Sequence, residues 1–151
     1  MAEALVCCVC TGNTCRSPML AAFLGRALAA QRPDISICSA GITALPGCPA
    51  SSHAITVMTE RGLDIGHHLS RPIESLPLDR IALFCCLAPH HAEALLAGGI
   101  PAQRIIVVNA TGGGIADPYG GSLSDYATCA DQMEAGLEEL VGACVAAAQA
   151  E

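Results

Sequence analysis

The chain has 151 residues, enough for one domain (1-151) with an ordinary buried core, and 52% of them are hydrophobic. A formal net charge of -7 argues against a nucleic-acid partner, and the absence of any lysine excludes both a Walker-type nucleotide loop and Schiff-base chemistry. No apolar run approaches the ~20 residues of a membrane span, and the apolar stretch Ala4–Cys10 follows Glu3 with no basic segment before it. The expectation is therefore a cytoplasmic protein that binds anions with arginine, histidine or backbone N–H groups.

Leu5–Val9 reads as the first buried strand, being short, apolar and β-rich. A helical stretch follows at about 18–31, then a second strand at Ile35–Cys38. Helical spacing returns at 50–62, and 66–80, with Pro72 and Pro77, reads as a loop carrying a short helix. Ile81–Leu87 and Ile105–Val108 are the third and fourth strands, separated by a helix at 89–98. A long helix is expected over 122–149, ending in the alanine-rich run Ala143–Ala150. Strands alternating with helices imply a doubly wound, three-layer α/β domain with a four-stranded parallel sheet in the order 2-1-3-4. Ligands of such sheets sit at the carboxyl ends of the strands near the switch in strand order. That directs attention to residues 10–17, after the first strand, and 109–121, after the last.

The first of these loops is Cys10-Thr11-Gly12-Asn13-Thr14-Cys15-Arg16-Ser17. Gly12 and Asn13 tolerate positive φ, so the backbone can curl and point several N–H groups inward. Ser17 and Pro18 suit a helix start, serine as N-cap and proline at the first helical position. A ring of N–H donors on a helix N-terminus binds anions, and Arg16 adds a fork for two phosphate oxygens. Cys10 lies at the entrance of the ring, where positive potential favours a thiolate nucleophile. Such a loop is built for in-line attack on phosphorus. The C-x4-C pair Cys10 and Cys15 has no second ligand pair at a fitting distance, so no metal and no cofactor are expected.

The run Val9–Pro18 resembles the signature loop of the low-molecular-weight protein tyrosine phosphatase family. Ser39-Ala40-Gly41 after the second strand, His68 and Asp117-Pro118-Tyr119 extend the similarity along the chain. The resemblance implies a Cys10 phosphoenzyme, Arg16 as phosphate ligand and Asp117 as the acid that protonates the leaving group. Asp117 is also the only acid of the Gly-rich loop 110–121. It further implies that Tyr119 walls the pocket mouth, that Ser39 and His68 brace Asn13, and that Cys15 traps oxidised Cys10 as a reversible disulfide.

Two positions bear on the substrate. Gly120 stands where tyrosine-specific relatives carry a second aromatic, and Thr14 where they carry a bulky aliphatic residue. Both resemble the bacterial branch that dephosphorylates arginine in proteins, since a short threonine leaves room for a planar guanidinium that Asp117 can pair. The expected partners are phosphorylated proteins, with phosphotyrosine hydrolysis as the alternative and a monomer favoured.

Arsenate reduction is a further alternative. It needs separated, mobile relay thiols, whereas Cys85 and Cys86 are adjacent on a buried strand and are expected to fill the core on opposite faces. Of the other histidines, His53, His90 and His91 read as helix-face residues. The ten cysteines lie largely in apolar runs, as reduced core thiols do.

Overall fold

The computed structural model describes residues 3–150. Four parallel strands form one sheet in the order β2-β1-β3-β4, with β1 at Ala4–Cys10, β2 at Ile35–Gly41, β3 at Ile81–Cys86 and β4 at Ile105–Val107. The order is the one expected. Helices α1 (Arg16–Ala29), α2 (Ser52–Glu60), α3 (Pro89–Ala97), α4 (Leu123–Ala135) and α5 (Leu137–Gln149) complete the fold.

Strand β1 is central, paired with β2 from Ala4↔Ile35 to Cys10↔Gly41 and with β3 from Leu5↔Ile81 to Val9↔Cys86. Burial on both faces explains its unbroken apolar run. Val6, Cys8 and Cys10 face a core built with Leu20, Phe23 and Leu24 of α1 and Met133 of α4. Cys7 and Val9 face a second core with Phe84, Ala92 and Leu95. Cys85 and Cys86 are fully buried and belong to these two different cores, and burial pushes the Cys86 thiol up to about 12. Neither thiol is placed to act as a mobile relay.

Three local expectations need correction. The long C-terminal helix is two helices that share Gly136 as a cap, its N–H bonded to the Gln132 carbonyl. Glycine is a poor helix former, and the break lets α5 turn to bury Leu140 and Cys144. The segment 66–80 carries two 3₁₀ turns, Ile73–Ser75 and Leu78–Arg80, where each proline supplies a turn and blocks a longer helix. Ser39-Ala40-Gly41 is the last part of β2 and not a turn, because it pairs with Cys8, Val9 and Cys10. Among the described residues, no helix is long and apolar enough to cross a membrane.

Candidate active site

The loop from Cys10 to Cys15 leaves β1 and enters α1 with only one residue in left-handed conformation, Asn13 at φ 58°. Gly12 does not share it, so the curl rests on asparagine alone. Asn13 is fully buried and held on every polar atom of its side chain. Its Nδ2 donates to Ser17 Oγ at 2.8 Å and Ser39 Oγ at 3.0 Å, and its Oδ1 accepts the Arg71 N–H at 3.0 Å. His68 Nε2 lies 2.6 Å from the Asn13 carbonyl. A carbonyl can only accept, so this nitrogen carries the proton. Burial, opposed by that bond and aided by Arg71, holds His68 below its ordinary value and hence neutral. Ser39 is thus brought to the Asn13 side chain and His68 to its backbone carbonyl, and Arg71 is a partner the sequence reading missed.

Ser17 does not cap the helix. The helix starts at Arg16 with Cys15 at the cap position. The serine hydroxyl is drawn inward instead, 2.9 Å from Cys10 Sγ as well as bonded to Asn13. Pro18 falls in the first turn, where helix N–H groups have no internal partner, so its missing donor is tolerated.

Arg16 is 3% exposed, a buried cation. One guanidinium nitrogen donates to the Ile115 carbonyl at 2.9 Å, and the other lies 3.7 Å from Asp117 Oδ2. This ties the phosphate loop to the second loop, 109–121. That loop is anchored in turn by the Ile115 N–H donating to the Leu87 carbonyl at 2.7 Å. Gly114 makes the approach possible, since a Cβ there would meet the same carbonyl at 2.6 Å. Cys129 donates its thiol to the Ala116 carbonyl at 3.2 Å, with burial pushing it up to about 11. Asp117 itself remains half exposed, and its Oδ1 accepts the Tyr119 N–H at 3.1 Å. Tyr119 is 76% exposed, at the rim of the pocket and not packed into it.

Cys10, Thr11, Gly12, Thr14, Cys15, Arg16, Asp117 and Tyr119 surround one cavity of about 270 Å³, together with Thr43. Asn13 and Ser17 stand behind it. A larger cavity of about 640 Å³ lies between β4 and the α4–α5 junction, with Ile106, Asn109, Gln132, Glu139 and Leu140 in its wall. Its lining has no basic side chain and no thiol, so the chemistry belongs to the smaller pocket. Among the described residues no cluster of histidine, cysteine and carboxylate side chains has metal-binding geometry.

Two further residues escaped the sequence reading. Tyr126 of α4 places its hydroxyl 3.3 Å from Cys15 Sγ, and burial, with Cys15 adding to it, pushes that hydroxyl up to about 12. Only the apolar spacing of α4 marked this position. His91 is not a surface helix residue: it is fully buried with Nε2 2.9 Å from Thr11 Oγ1. Its helix starts at the carboxyl end of β3, beside the loop, which periodicity alone does not reveal.

The sequence profile of the low molecular weight phosphotyrosine protein phosphatases matches residues 5–150. Over 137 residues the chain is 34% identical to a protein-arginine-phosphatase of Geobacillus stearothermophilus, covering 87% of this chain and 90% of that one. It is 32% identical over 136 residues to a probable low molecular weight protein-tyrosine-phosphatase of Ralstonia nicotianae, covering 88% and 90%. The crystal structure of a low molecular weight protein tyrosine phosphatase from T. tengcongensis superposes with a TM-score of 0.84 at 32% identity, covering 93% of this chain and 99% of that one.

Proposed function

The chain belongs to the low molecular weight phosphotyrosine protein phosphatase family, and from that membership we propose that it hydrolyses phosphorylated arginine side chains of proteins through a Cys10 phosphoenzyme. The observation that carries this reading is the convergence of Cys10, Arg16 and Asp117 on one small pocket.

In the first step the Cys10 thiolate attacks phosphorus in line. The S–P bond forms as the P–N bond to the guanidine breaks, and Asp117 gives its proton to the departing nitrogen. Arg16 and the backbone N–H groups of residues 11–16 take the charge on the phosphoryl oxygens, where preorganised donors act most strongly. Ser17 Oγ, 2.9 Å from Cys10 Sγ, can donate to the thiolate before attack and when it leaves. In the second step the Asp117 carboxylate removes a proton from water, whose oxygen attacks phosphorus. The S–P bond breaks, releasing phosphate and the thiolate.

Thr14 on the pocket wall favours a guanidinium over a phenyl ring because it offers little apolar surface to stack against. Asp117 is half exposed beside Arg16, and its carboxylate can meet a substrate guanidinium in two-point fashion. The relative from Geobacillus carries the matching name. The second reading, phosphotyrosine hydrolysis, draws on Tyr119, whose exposed ring at the rim can stack on a substrate ring. Turnover on phosphoarginine and phosphotyrosine peptides of one sequence decides between them. A clear preference for phosphotyrosine overturns the arginine assignment, and a fully active Cys10→Ser variant overturns both. The protein acts without a metal or cofactor on this reading, and no partner beyond the phosphorylated protein is required.

A further inference from the structure

His91 stands behind the phosphate loop and has no part in the steps above. It is the third residue of α3, fully buried, and its Nδ1 is enclosed with no hydrogen-bond partner among the described residues. An imidazole so placed is expensive, because a buried polar atom left unsatisfied costs roughly 1–3 kcal/mol. Packing alone does not ask for it, since Ala92 and Leu95 of the same helix already fill the adjoining core with aliphatic groups. Among the described residues the single polar contact of the ring is Thr11 Oγ1, at 2.9 Å.

Thr11 follows Cys10 and lines the pocket. Its backbone is fixed from the β2 side, where its carbonyl accepts the Thr43 N–H at 3.0 Å. Gly41 permits that approach, because a Cβ there would meet the Thr11 carbonyl at 2.5 Å. Its hydroxyl is fixed from the α3 side by His91. Two tautomers are conceivable. If Thr11 donates to Nε2, the orphan Nδ1 carries a proton, and a buried N–H without an acceptor is the rarer defect in folded proteins. If Nε2–H donates to Thr11, the orphan is a bare lone pair and the threonine proton stays unassigned.

We propose that His91 is a positioning residue for the phosphate loop, its Nε2–H holding the Thr11 hydroxyl so that the hydroxyl proton is given to a phosphoryl oxygen in the pocket. The inference rests on reading the Cys10 loop as a phosphate site. The charged and titratable groups that bear on the ring are consistent with a neutral imidazole. Burial first, then exposed His90 at a ring separation of 4.1 Å and then Arg16 push His91 down to about 4, against Asp117. The positive charge facing a bound phosphate therefore stays on Arg16, while His91 supplies direction and no charge.

The test is hydrolysis of para-nitrophenyl phosphate and its competitive inhibition by inorganic phosphate. The proteins compared are wild type, His91→Leu, His91→Gln, Thr11→Val and the double variant Thr11→Val/His91→Leu. His91→Leu and Thr11→Val are each expected to lower kcat/KM and weaken phosphate inhibition by about tenfold, the worth of one hydrogen bond to a charged group. The double variant should be no worse than either single one, because both remove the same directed hydrogen bond from the pocket. The amide N–H of His91→Gln should restore both quantities to within about threefold of wild type, again by one hydrogen bond. A purely structural histidine would instead lower stability with phosphate inhibition unchanged in the folded fraction. Wild-type phosphate inhibition in folded His91→Leu, or losses that multiply in the double variant, overturns the proposal. Should His91→Leu not fold, Thr11→Val decides alone, and wild-type inhibition there overturns it equally. A wild-type protein that neither turns over nor is inhibited by phosphate overturns the phosphate-site reading itself, a result distinct from variants that are merely insensitive.

Discussion

The hydroxyl of Tyr126 lies 3.3 Å from Cys15 Sγ, and the same thiol donates to Ser51 Oγ at 3.5 Å. Cys15 is thus tied to α4 and to the start of α2, in the loop that carries Cys10. Peroxide converts a Cys10 thiolate to the sulfenic acid with release of hydroxide. Condensation with the Cys15 thiol then forms a disulfide with loss of water. Wild type should therefore regain activity with dithiothreitol after peroxide treatment, whereas Cys15→Ser should stay inactive as Cys10 proceeds to sulfinic acid. Equal recovery of the two proteins removes the protective role from Cys15.

Asn13 sits at φ 58° with its side chain bonded to Ser17, Ser39 and Arg71. Asn13→Ala loses three hydrogen bonds and places a Cβ residue in a conformation it disfavours, a combined cost of about 2–4 kcal/mol. Asn13→Gly keeps the backbone conformation and loses only the bonds. We expect Asn13→Ala to melt lower than Asn13→Gly, and both to fall at least about tenfold in kcat on para-nitrophenyl phosphate as the loop loosens. Equal melting temperatures would show that the left-handed backbone carries no strain here.

Much of this could be read in the chain before any coordinates. The four parallel strands followed from short apolar runs separated by helical spacing, because strands buried on both faces leave an unalternating signature in Val6–Cys10 and Ile81–Cys86, and their order followed from the handedness of the crossovers. The phosphate loop was legible because its chemistry is contiguous in sequence. What stayed hidden are contacts that join distant residues. Arg71 reaches Asn13 across 58 positions and Tyr126 reaches Cys15 across 111, and neither follows a local period. The Ser17 cap was misread for a related reason. Its hydroxyl has better partners in the folded site than the helix N–H groups, and tertiary bonding overrode a local preference.

Gly41 is a second pressure point on the loop. A Cβ at this position would come within 2.5 Å of the Thr11 carbonyl, 2.8 Å of Ala44 Cβ and 3.1 Å of the Asn13 nitrogen. Two of those three neighbours are backbone atoms of the phosphate loop, which cannot move aside without distorting it. Gly41→Ala should cost about 1–3 kcal/mol in stability and lower kcat/KM for para-nitrophenyl phosphate. Unchanged melting and unchanged kinetics would mean that the loop has more freedom than this packing allows.

The buried histidines set how the fold responds to acid. His91 is held down to about 4 and His68 below its ordinary 6.5, both by burial first. Each is therefore neutral in the folded protein at a pH where the unfolded chain has already bound a proton. In the window between 6.5 and about 4 the unfolded state binds more protons, so stability must fall as pH falls. For His91 the full effect is on the order of 3 kcal/mol, reached once the pH drops below about 4. Urea midpoints measured from pH 7 to 4.5 should decline for wild type, and the decline should be shallower in His91→Gln, which has no proton to take up at that position. A slope identical in the two proteins would mean that His91 binds its proton equally in the folded and unfolded chains, which its burial next to Arg16 argues against.

Thr14 offers the sharpest handle on which phosphorylated side chain is accepted. It lines the pocket beside Cys10 and Arg16, and its side chain is neither the nucleophile nor one of the backbone N–H groups that take the phosphoryl charge. Thr14→Ile adds apolar surface facing the substrate and removes space, without touching the groups that bond phosphate. A phenyl ring gains contact from that change, whereas a guanidinium loses room and gains nothing, since its planar nitrogens need polar partners. The variant should keep its activity on phosphotyrosine peptides or raise it, and lose about tenfold or more on phosphoarginine peptides, the discrimination that a change of one or two methyl groups in a pocket supplies. Parallel kcat/KM measurements on the two peptides read the ratio directly. A ratio that does not move would place the selectivity outside Thr14, with Asp117 and Tyr119 as the remaining side chains at the mouth.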